Sequence, residues 1–265
     1  MYSFDYHRPG SVADVAKALL ANPEARLLAG GQTLIPTLKQ RLAQPAAVID
    51  LGGIADLKMI KRDGATLVIG AMATHDMVAR SADVKAAIPA LAALAGGIGD
   101  PQVRNVGTIG GSVANNDPAA DYPAAVLALG ATVVTNKRQI VADQFFAGMF
   151  STVLDAGEII TALHFPVPKK AAYAKFEQRA SRYALVGAFV ADTGAGVRCA
   201  ITGCGAGGVF RSAEIEATLA KMFAADALKG VKISAANIMG DIHGSAEYRA
   251  AMVPVIAARA VAMAV

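Results

Sequence analysis

Two short glycine-rich segments of this 265-residue chain have the residue types that bind phosphate groups. Residues 27–34 read LLAGGQTL and residues 108–112 read TIGGS, so each has two adjacent glycines close before a hydroxyl-bearing residue. Glycine allows close approach to the main chain, and a Gly-rich turn leading into a helix collects N–H donors that suit a phosphate. Together, the two segments can face one diphosphate from two sides, with hydroxyl donors from Thr33, Thr108 and Ser112.

These segments are not a standard nucleotide motif. Neither has the G-x-G-x-x-G spacing of a Rossmann fold or the Lys-Ser/Thr of a P-loop, so two ordinary structural turns explain them equally well. Asp121 follows the second segment at a distance where its carboxylate can accept a hydrogen bond from a ribose or ribityl hydroxyl. The four histidines show no metal-ligand spacing, and Cys199 and Cys204 are too few to hold an iron–sulfur cluster.

The N-terminal elements predict a small β-α-β unit that places the first glycine pair at a turn. Ser11 has capping-box spacing ahead of a helix over 12–21, and apolar strands are predicted at 25–30 and 46–53. Thr33 is predicted to cap the helix that follows the glycines. A hairpin over 57–74 turns at Asp63-Gly64, and Thr74 is predicted to cap the next helix.

The remaining elements predict a second, smaller domain. A helix is predicted within 89–99, a helix and strand within 121–135, and a strand at 158–168. Two antiparallel strands in 184–206, a helix at 212–224 and a C-terminal helix capped by Ser245 follow. We therefore predict an α+β protein with a first domain at 1–168, split into subdomains 1–55 and 56–168, and a second domain at 169–265.

Composition excludes several classes of protein. Hydrophobic residues are 54% of the chain and charged residues 17%, which is typical of a globular protein. The net charge of +4 comes without a dense basic face, so no nucleic-acid partner is expected. No apolar run is long enough to predict a transmembrane segment, the N-terminus lacks a secretory layout, and only two cysteines are present. These features predict a cytoplasmic protein.

Longer segments around these motifs resemble one family. The segments LLAGGQTLIPTLKQRLAQPAAVIDLGGI, VIGAMATH, IGDPQVRNVGTIGGSVANNDPAADYPAAVLALGATVV and the closing DIHGSAEYRAAM are similar, in order, to the FAD-binding medium subunit of the molybdenum hydroxylases. That family includes bacterial carbon monoxide dehydrogenase and the subunit form of xanthine dehydrogenase. The resemblance covers essentially the whole chain.

The resemblance implies a two-part, non-Rossmann FAD-binding fold of the PCMH-like type, followed by a carbon monoxide dehydrogenase flavoprotein-type C-terminal domain. It implies FAD as the cofactor and no catalytic acid, base, nucleophile or metal ligand on this chain. The implied cofactor contacts are Leu27, Leu28, Ala29, Gly30, Gly31, Gln32, Thr33, Leu34, Thr74, Ile98, Thr108, Ile109, Gly110, Gly111, Ser112, Asp121, Ile160, Arg179 and Tyr183. Lys175 is a further candidate. The chain departs from the family at Arg182, where an aspartate is usual.

The implied function is electron transfer. A molybdopterin-binding large subunit and a [2Fe–2S] small subunit are the implied partners, arranged as a dimer of heterotrimers, and NAD or a quinone is the implied acceptor. Two alternatives stay open at this point: a free-standing flavin oxidoreductase, and a scaffold subunit that has lost its cofactor.

Overall fold

The computed structural model describes all 265 residues and contains three main sheets, one two-stranded hairpin and eleven α-helices. The strands are β1 (Asp5–His7), β2 (Arg26–Leu28), β3 (Ala47–Asp50), β4 (Ile60–Asp63), β5 (Thr66–Gly70), β6 (Thr132–Thr135), β7 (Gln139–Val141), β8 (Phe146–Gly148), β9 (Ser151–Thr152), β10 (Ile160–Pro166), β11 (Lys170–Glu177), β12 (Ala184–Asp192), β13 (Val197–Thr202) and β14 (Phe210–Arg211). The helices are α1 (Val12–Ala21), α2 (Leu34–Lys39), α3 (His75–Arg80), α4 (Ala82–Ala87), α5 (Pro89–Gly96), α6 (Pro101–Val106), α7 (Ile109–Asn115), α8 (Tyr122–Ala128), α9 (Ala142–Phe145), α10 (Ala213–Lys221) and α11 (Ala246–Met263).

The N-terminal unit is a parallel sheet in the order β1-β3-β2. The side chain of Ser11 caps α1 by accepting from the Asp14 N–H, as its spacing predicts. Strand β2 ends at Leu28 and leads into the first glycine pair, which confirms the predicted β-α-β unit. Strand β1 was not predicted, because its three residues are all exposed and carry no apolar pattern.

The second unit is an antiparallel sheet in the order β4-β5-β10-β6-β7, and the helices α4, α7 and α9 pack against its strands. The predicted hairpin turns at Gly64, which has a φ of +57°. Thr74 caps α3 by accepting from the Met77 N–H, as predicted. The region 99–123 contains the short helices α6 and α7, which the glycine-rich composition did not predict.

The third unit is a four-stranded antiparallel sheet in the order β11-β12-β13-β14, covered by α10 and α11. The sequence predicted only two of these strands. Strand β11 was missed because its alanines have a low strand propensity, although Ala171, Ala172 and Tyr173 are buried in the sheet. No helix combines the length and the apolar character needed to cross a membrane.

One local prediction is wrong. Thr33 precedes α2, but its side chain makes no capping hydrogen bond and its backbone is helical, with φ −106° and ψ −50°. An N-cap residue normally has extended backbone angles, so its oxygen can turn back toward the first helical N–H groups. The hydroxyl of Thr33 therefore does not occupy the donors of the first turn.

Candidate cofactor site

A cleft of about 610 Å³ lies where the three units meet. Its walls come from the loop after β2, the segment from α6 to the start of α8, the residues leading into β10, and the turn between β11 and β12. Its volume lies within the roughly 300–1,000 Å³ typical of small-molecule and cofactor pockets.

The first glycine loop presents a row of free main-chain donors to this cleft. The N–H groups of residues 30–34 make no hydrogen bond with any other group of the protein; the first N–H bonded within the chain after β2 is that of Ile35, which donates to the Gly31 carbonyl. Gly31 has a φ of +68°, a conformation that side chains disfavour, and this turns the loop from β2 into α2. Unpartnered N–H groups lining a cavity are suited to an anionic oxygen ligand.

The second glycine segment differs, because most of its main-chain donors are already used. The N–H groups of Ile109 and Gly110 donate to the carbonyls of Ala73 and Ala71, and those of Gly111 and Ser112 donate to Thr108. The expectation that this segment supplies a second row of main-chain donors is therefore wrong for residues 109–112. Its contribution to the cleft comes from the N–H and hydroxyl of Thr108 and from the Ser112 side chain.

The two segments contact each other through glycine. A Cβ atom at Gly30 would lie 2.3 Å from the Val106 carbonyl oxygen and 2.6 Å from the Gly107 Cα. A Cβ atom at Gly111 would lie 3.3 Å from the Ala29 Cβ. These distances are too short for side chains, so the bare backbone is needed to bring the two loops against one another.

Most of the predicted contact residues line the cleft. They are Leu27, Ala29, Gly30, Gly31, Gln32, Thr33, Leu34, Ile98, Thr108, Gly110, Gly111, Ser112, Asp121, Ile160 and Tyr183. The structure does not place Leu28, Thr74, Ile109, Lys175 or Arg179 on its wall. Ile109 is fully buried in the core, whereas Thr74 pairs with Thr108 in a β-bridge and so shapes the second loop from behind.

Asp121 lies in a buried network that joins the first domain to the third sheet. Its carboxylate accepts from the Tyr173 hydroxyl at 2.5 Å, and the Lys175 ammonium lies 3.2 Å away. Burial raises the pKa of Asp121, and Lys175 and Tyr173 act in the opposite direction. Lys175 also donates to the carbonyls of Gly97 and Arg182.

The turn between β11 and β12 reaches back across the cleft to Ile98 and Gly99. The Arg182 guanidinium donates to the Gly99 carbonyl at 2.9 Å, and Arg104 donates to the carbonyls of Ile98 and Gly99 at 3.0 Å. Arg182 itself has a φ of +61°. Arg182, the residue that departs from the family pattern, thus holds the segment that carries Ile98, and both residues line the cleft.

Comparison with known proteins decides the family. Residues 2–168 match the family model described as the FAD binding domain in molybdopterin dehydrogenase. The chain belongs to this family. Among relatives of this FAD-binding chain, the carbon monoxide dehydrogenase medium chain of Afipia carboxidovorans is 38% identical, with 98% of this chain and 96% of the relative covered. The nicotine 6-hydroxylase medium subunit of Paenarthrobacter nicotinovorans is 36% identical, with 94% and 92% covered.

A solved structure gives the same result for the fold of the FAD-binding chain. The crystal structure of the Cu,Mo-CO dehydrogenase in its cyanide-inactivated form contains a chain that superposes with a TM-score of 0.90 at 34% identity, covering 98% of this chain and 97% of that one. The predicted PCMH-type α+β fold and the predicted family are thereby confirmed. FAD is the cofactor of this chain, as predicted.

The cleft of this FAD-binding chain fits the chemistry of its cofactor. FAD carries an anionic diphosphate, and the loop at 30–34 offers the unpartnered N–H groups that such an anion needs. The volume is adequate, and Ile98, Ile160 and Tyr183 add apolar and aromatic residues to the lining of the cleft.

Several cleft residues were missed by sequence reasoning. They are Arg26, Thr37, Met72, His75, Gly107, Asp117, Leu154, Glu158, Ile159 and Arg182, the last noted only as a departure from the family. Glu158 is held by Arg138, which lowers the pKa of its carboxyl to about 2. No local signal marks residues 154–159, because side-chain hydrogen bonds between residues 135–138 and residues 158–159, 20 or 23 positions apart, hold this segment. His75 had a usable signal, since it follows Thr74 in the GAMATH segment.

Proposed function

We propose that this chain is the FAD-carrying electron-transfer subunit of a heteromeric molybdenum hydroxylase. In this proposal it receives electrons from a [2Fe–2S] small subunit and passes them to NAD or a quinone, while a molybdopterin-binding large subunit acts on the substrate. The medium chains named above support the proposal, because they match this chain over nearly their full length. A dimer of heterotrimers is the proposed assembly.

The observation that carries the proposal is the row of free N–H groups at residues 30–34, in a cleft that Thr108 and Ser112 also line. Bound FAD supplies the conversion between one-electron and two-electron transfer, and the protein supplies position and electrostatics. The first loop binds the diphosphate through main-chain donors. The Thr108 and Ser112 hydroxyls complete this binding from the other side.

The other residues of the cleft orient the cofactor. Ile98, Ile160 and Tyr183 provide apolar contact for a flat ring system and exclude water from it. Asp121 retains lone pairs beyond its bonds to Tyr173 and Lys175, so it can accept from a hydroxyl of the ligand. No side chain of the cleft needs to act as a catalytic acid or base in this function.

The glycine loops give the test of this proposal. Gly31→Val places a β-branched residue at a φ of +68°, with its Cβ 2.8 Å from Ile35, and Gly111→Val pushes on Thr108 and Ala29. We expect the wild-type full chain to bind close to one FAD and both variants to lose it, as measured by absorbance and chromatography of the released flavin. Gly10→Val is the matched control, because Gly10 has open space around it.

The outcomes separate the parts of the proposal. Circular dichroism checks that the variants remain folded. Stoichiometric FAD in both glycine variants would show that the loops do not hold the diphosphate. Absence of FAD from the wild-type chain, alone and purified with its partner subunits, would favour the cofactor-free scaffold. Flavin reduction by a small substrate without partner subunits would favour a free-standing oxidoreductase.

A further inference from the structure

His75 is a buried polar residue of the cleft that none of the glycine motifs includes. It is 5% exposed, begins α3 and lies on the cleft wall. Its Nδ1 atom is sealed from solvent and has no hydrogen-bond partner in the chain, whereas its Nε2 atom is not sealed in this way. Buried polar atoms are nearly always partnered, so an unpartnered imidazole at a binding cleft needs an explanation.

The surroundings of His75 fix the position of its ring. The ring centroid lies 5.4 Å from that of Tyr122, and the His75 main-chain N–H donates to the Gly107 carbonyl. The Nε2 atom lies so close to Gly107 that a Cβ there would be 2.5 Å from it. A packed ring with its Nε2 edge against a cleft-lining glycine is a rigid, preorganised group.

The position of Nε2 coincides with the junction of the two glycine loops. Gly107 directly precedes Thr108, and Gly107 is also the residue against which Gly30 packs. The free donors of the first loop and the Nε2 edge of His75 therefore border the same part of the cleft. An anionic ligand bound by the first loop lies within reach of this edge.

The protonation state of His75 makes it a neutral donor. Burial, with a smaller contribution from Arg104, lowers its pKa to about 4, so the imidazole carries one N–H at neutral pH. A buried N–H without an acceptor is rarer in proteins than an under-used acceptor. The proton is therefore better placed on Nε2, which lies against the cleft-lining Gly107, than on the sealed Nδ1.

We propose that His75 is a cofactor-positioning residue whose Nε2–H donates a hydrogen bond to an oxygen of the FAD diphosphate. The inference rests on the proposed placement of FAD in this cleft. It adds a side-chain donor, delivered from α3, to the main-chain donors of the first loop. It also explains why a histidine occupies a site where its second nitrogen has no partner.

Two variants of the full chain test this role. His75→Leu removes the donor, and His75→Gln retains a side-chain N–H donor of similar reach. Since hydrogen bonds to charged groups are the stronger ones, we expect His75→Leu to weaken FAD binding about tenfold to a hundredfold and His75→Gln to restore affinity to within about threefold of wild type. Affinity is measured by titrating the apoprotein with FAD and following flavin fluorescence. His164→Leu, on β10 outside the cleft, is the matched control.

A second readout reports the hydrogen bond directly. In protein carrying nitrogen-15 histidine, NMR distinguishes the two neutral tautomers, and the His75 signals are assigned by their loss in His75→Gln. We expect the Nε2–H tautomer before FAD is added and a downfield shift of that proton afterwards. This spectroscopic change does not occur if His75 only fills space.

Three results would overturn the inference. One is wild-type FAD affinity in His75→Leu, and another is equal loss of affinity in His75→Leu and His75→Gln, which would indicate packing alone. The third is an Nδ1–H tautomer that FAD does not alter. A wild-type chain that takes up no FAD under any of the conditions above would overturn the proposed function, and this inference with it.

Discussion

Buried polar side chains near the cleft differ in whether their polar atoms have hydrogen-bond partners within the chain. The His75 Nδ1 atom and the Tyr122 hydroxyl are both sealed without a partner. Leaving such a group unpaired costs about 1–3 kcal/mol of folding free energy. Arg249 is also nearly fully buried, but its Nη1 donates to the Gly203 carbonyl and its Nη2, which makes no hydrogen bond, lies at ion-pair distance from Asp241.

The lowered pKa of His75 predicts a pH-dependent stability. The imidazole has a pKa of about 4 in the folded chain and an ordinary value near 6.5 in the unfolded chain. The unfolded state binds the extra proton between these values, so the free energy of unfolding falls as the pH drops through this range, by up to about 3 kcal/mol. We expect His75→Gln to reduce the loss between about pH 7 and pH 5 by about 2 kcal/mol, as measured by urea denaturation of the apoprotein.

The same measurement has an internal control. His164→Gln is the control, because the His164 side chain on β10 is only partly buried. This variant is expected to keep the wild-type pH dependence of stability. Wild-type pH dependence in His75→Gln would show that His75 titrates normally in the folded chain.

At the residue level, the sequence locates the site but does not show which donors are free. The pairs Gly30-Gly31 and Gly110-Gly111 look equivalent in sequence, and both line the cleft. In the second pair, the Gly110 N–H donates to the Ala71 carbonyl packed behind it, and the Gly111 N–H donates to the Thr108 hydroxyl. A hydrogen-bond partner more than thirty residues away leaves no local pattern that sequence reasoning can use.

At the level of elements, the network of Asp121, Tyr173 and Lys175 joins the start of α8 to β11. Asp121→Asn leaves the nearly buried Lys175 ammonium without its anionic partner, and breaking one side of a buried pair costs about 3–5 kcal/mol. We therefore expect this variant to lose about 3 kcal/mol of unfolding free energy in urea denaturation.

An exposed pair provides the comparison for Asp121→Asn. Asp226 pairs with Lys229 at 2.8 Å on the surface, where solvent screens such pairs and they contribute little to stability. Asp226→Asn is expected to leave the urea midpoint close to that of wild type. Equal effects of the two substitutions would show that the Asp121 network does not hold β11 against α8.

Apart from the Thr33 cap, element prediction succeeded where the signal was local. The side-chain caps at Ser11, Thr74 and Ser245 depend on a residue three positions away, and all three form. It failed for β11 and for α6 and α7, where alanine or glycine gives little intrinsic preference. In these elements, long-range packing decides the structure.

At the level of the whole molecule, the predicted boundary near residue 168 does not coincide with a gap in the core. The main apolar core under the second sheet also contains Ala171, Tyr173, Phe189, Ala191 and Ala200 from the third sheet. The third sheet has its own core on its other face, against α10 and α11. The second and third units thus contribute to one apolar core, and we expect them to unfold cooperatively rather than as independent domains.

Arg198 joins the second and third units through polar contacts. From β13 it donates twice to the Leu127 carbonyl at the end of α8 and pairs with Asp143 at 2.7 Å. We expect the wild-type chain to unfold in one calorimetric transition with matching calorimetric and van't Hoff enthalpies. Arg198→Ala is expected to lower the midpoint by about 5 °C, since hydrogen bonds from charged groups contribute about 1.5–3 kcal/mol.

Arg62→Ala is the matched control, because Arg62 lies exposed on the β4–β5 hairpin and bonds only within it. Its midpoint is expected to stay within about 1 °C of wild type. Two separate transitions in the wild-type chain would show that the units fold independently. All three units border the cleft. If the units folded independently, the geometry of the cleft and its binding of FAD would depend on how the units dock, and not on one shared core.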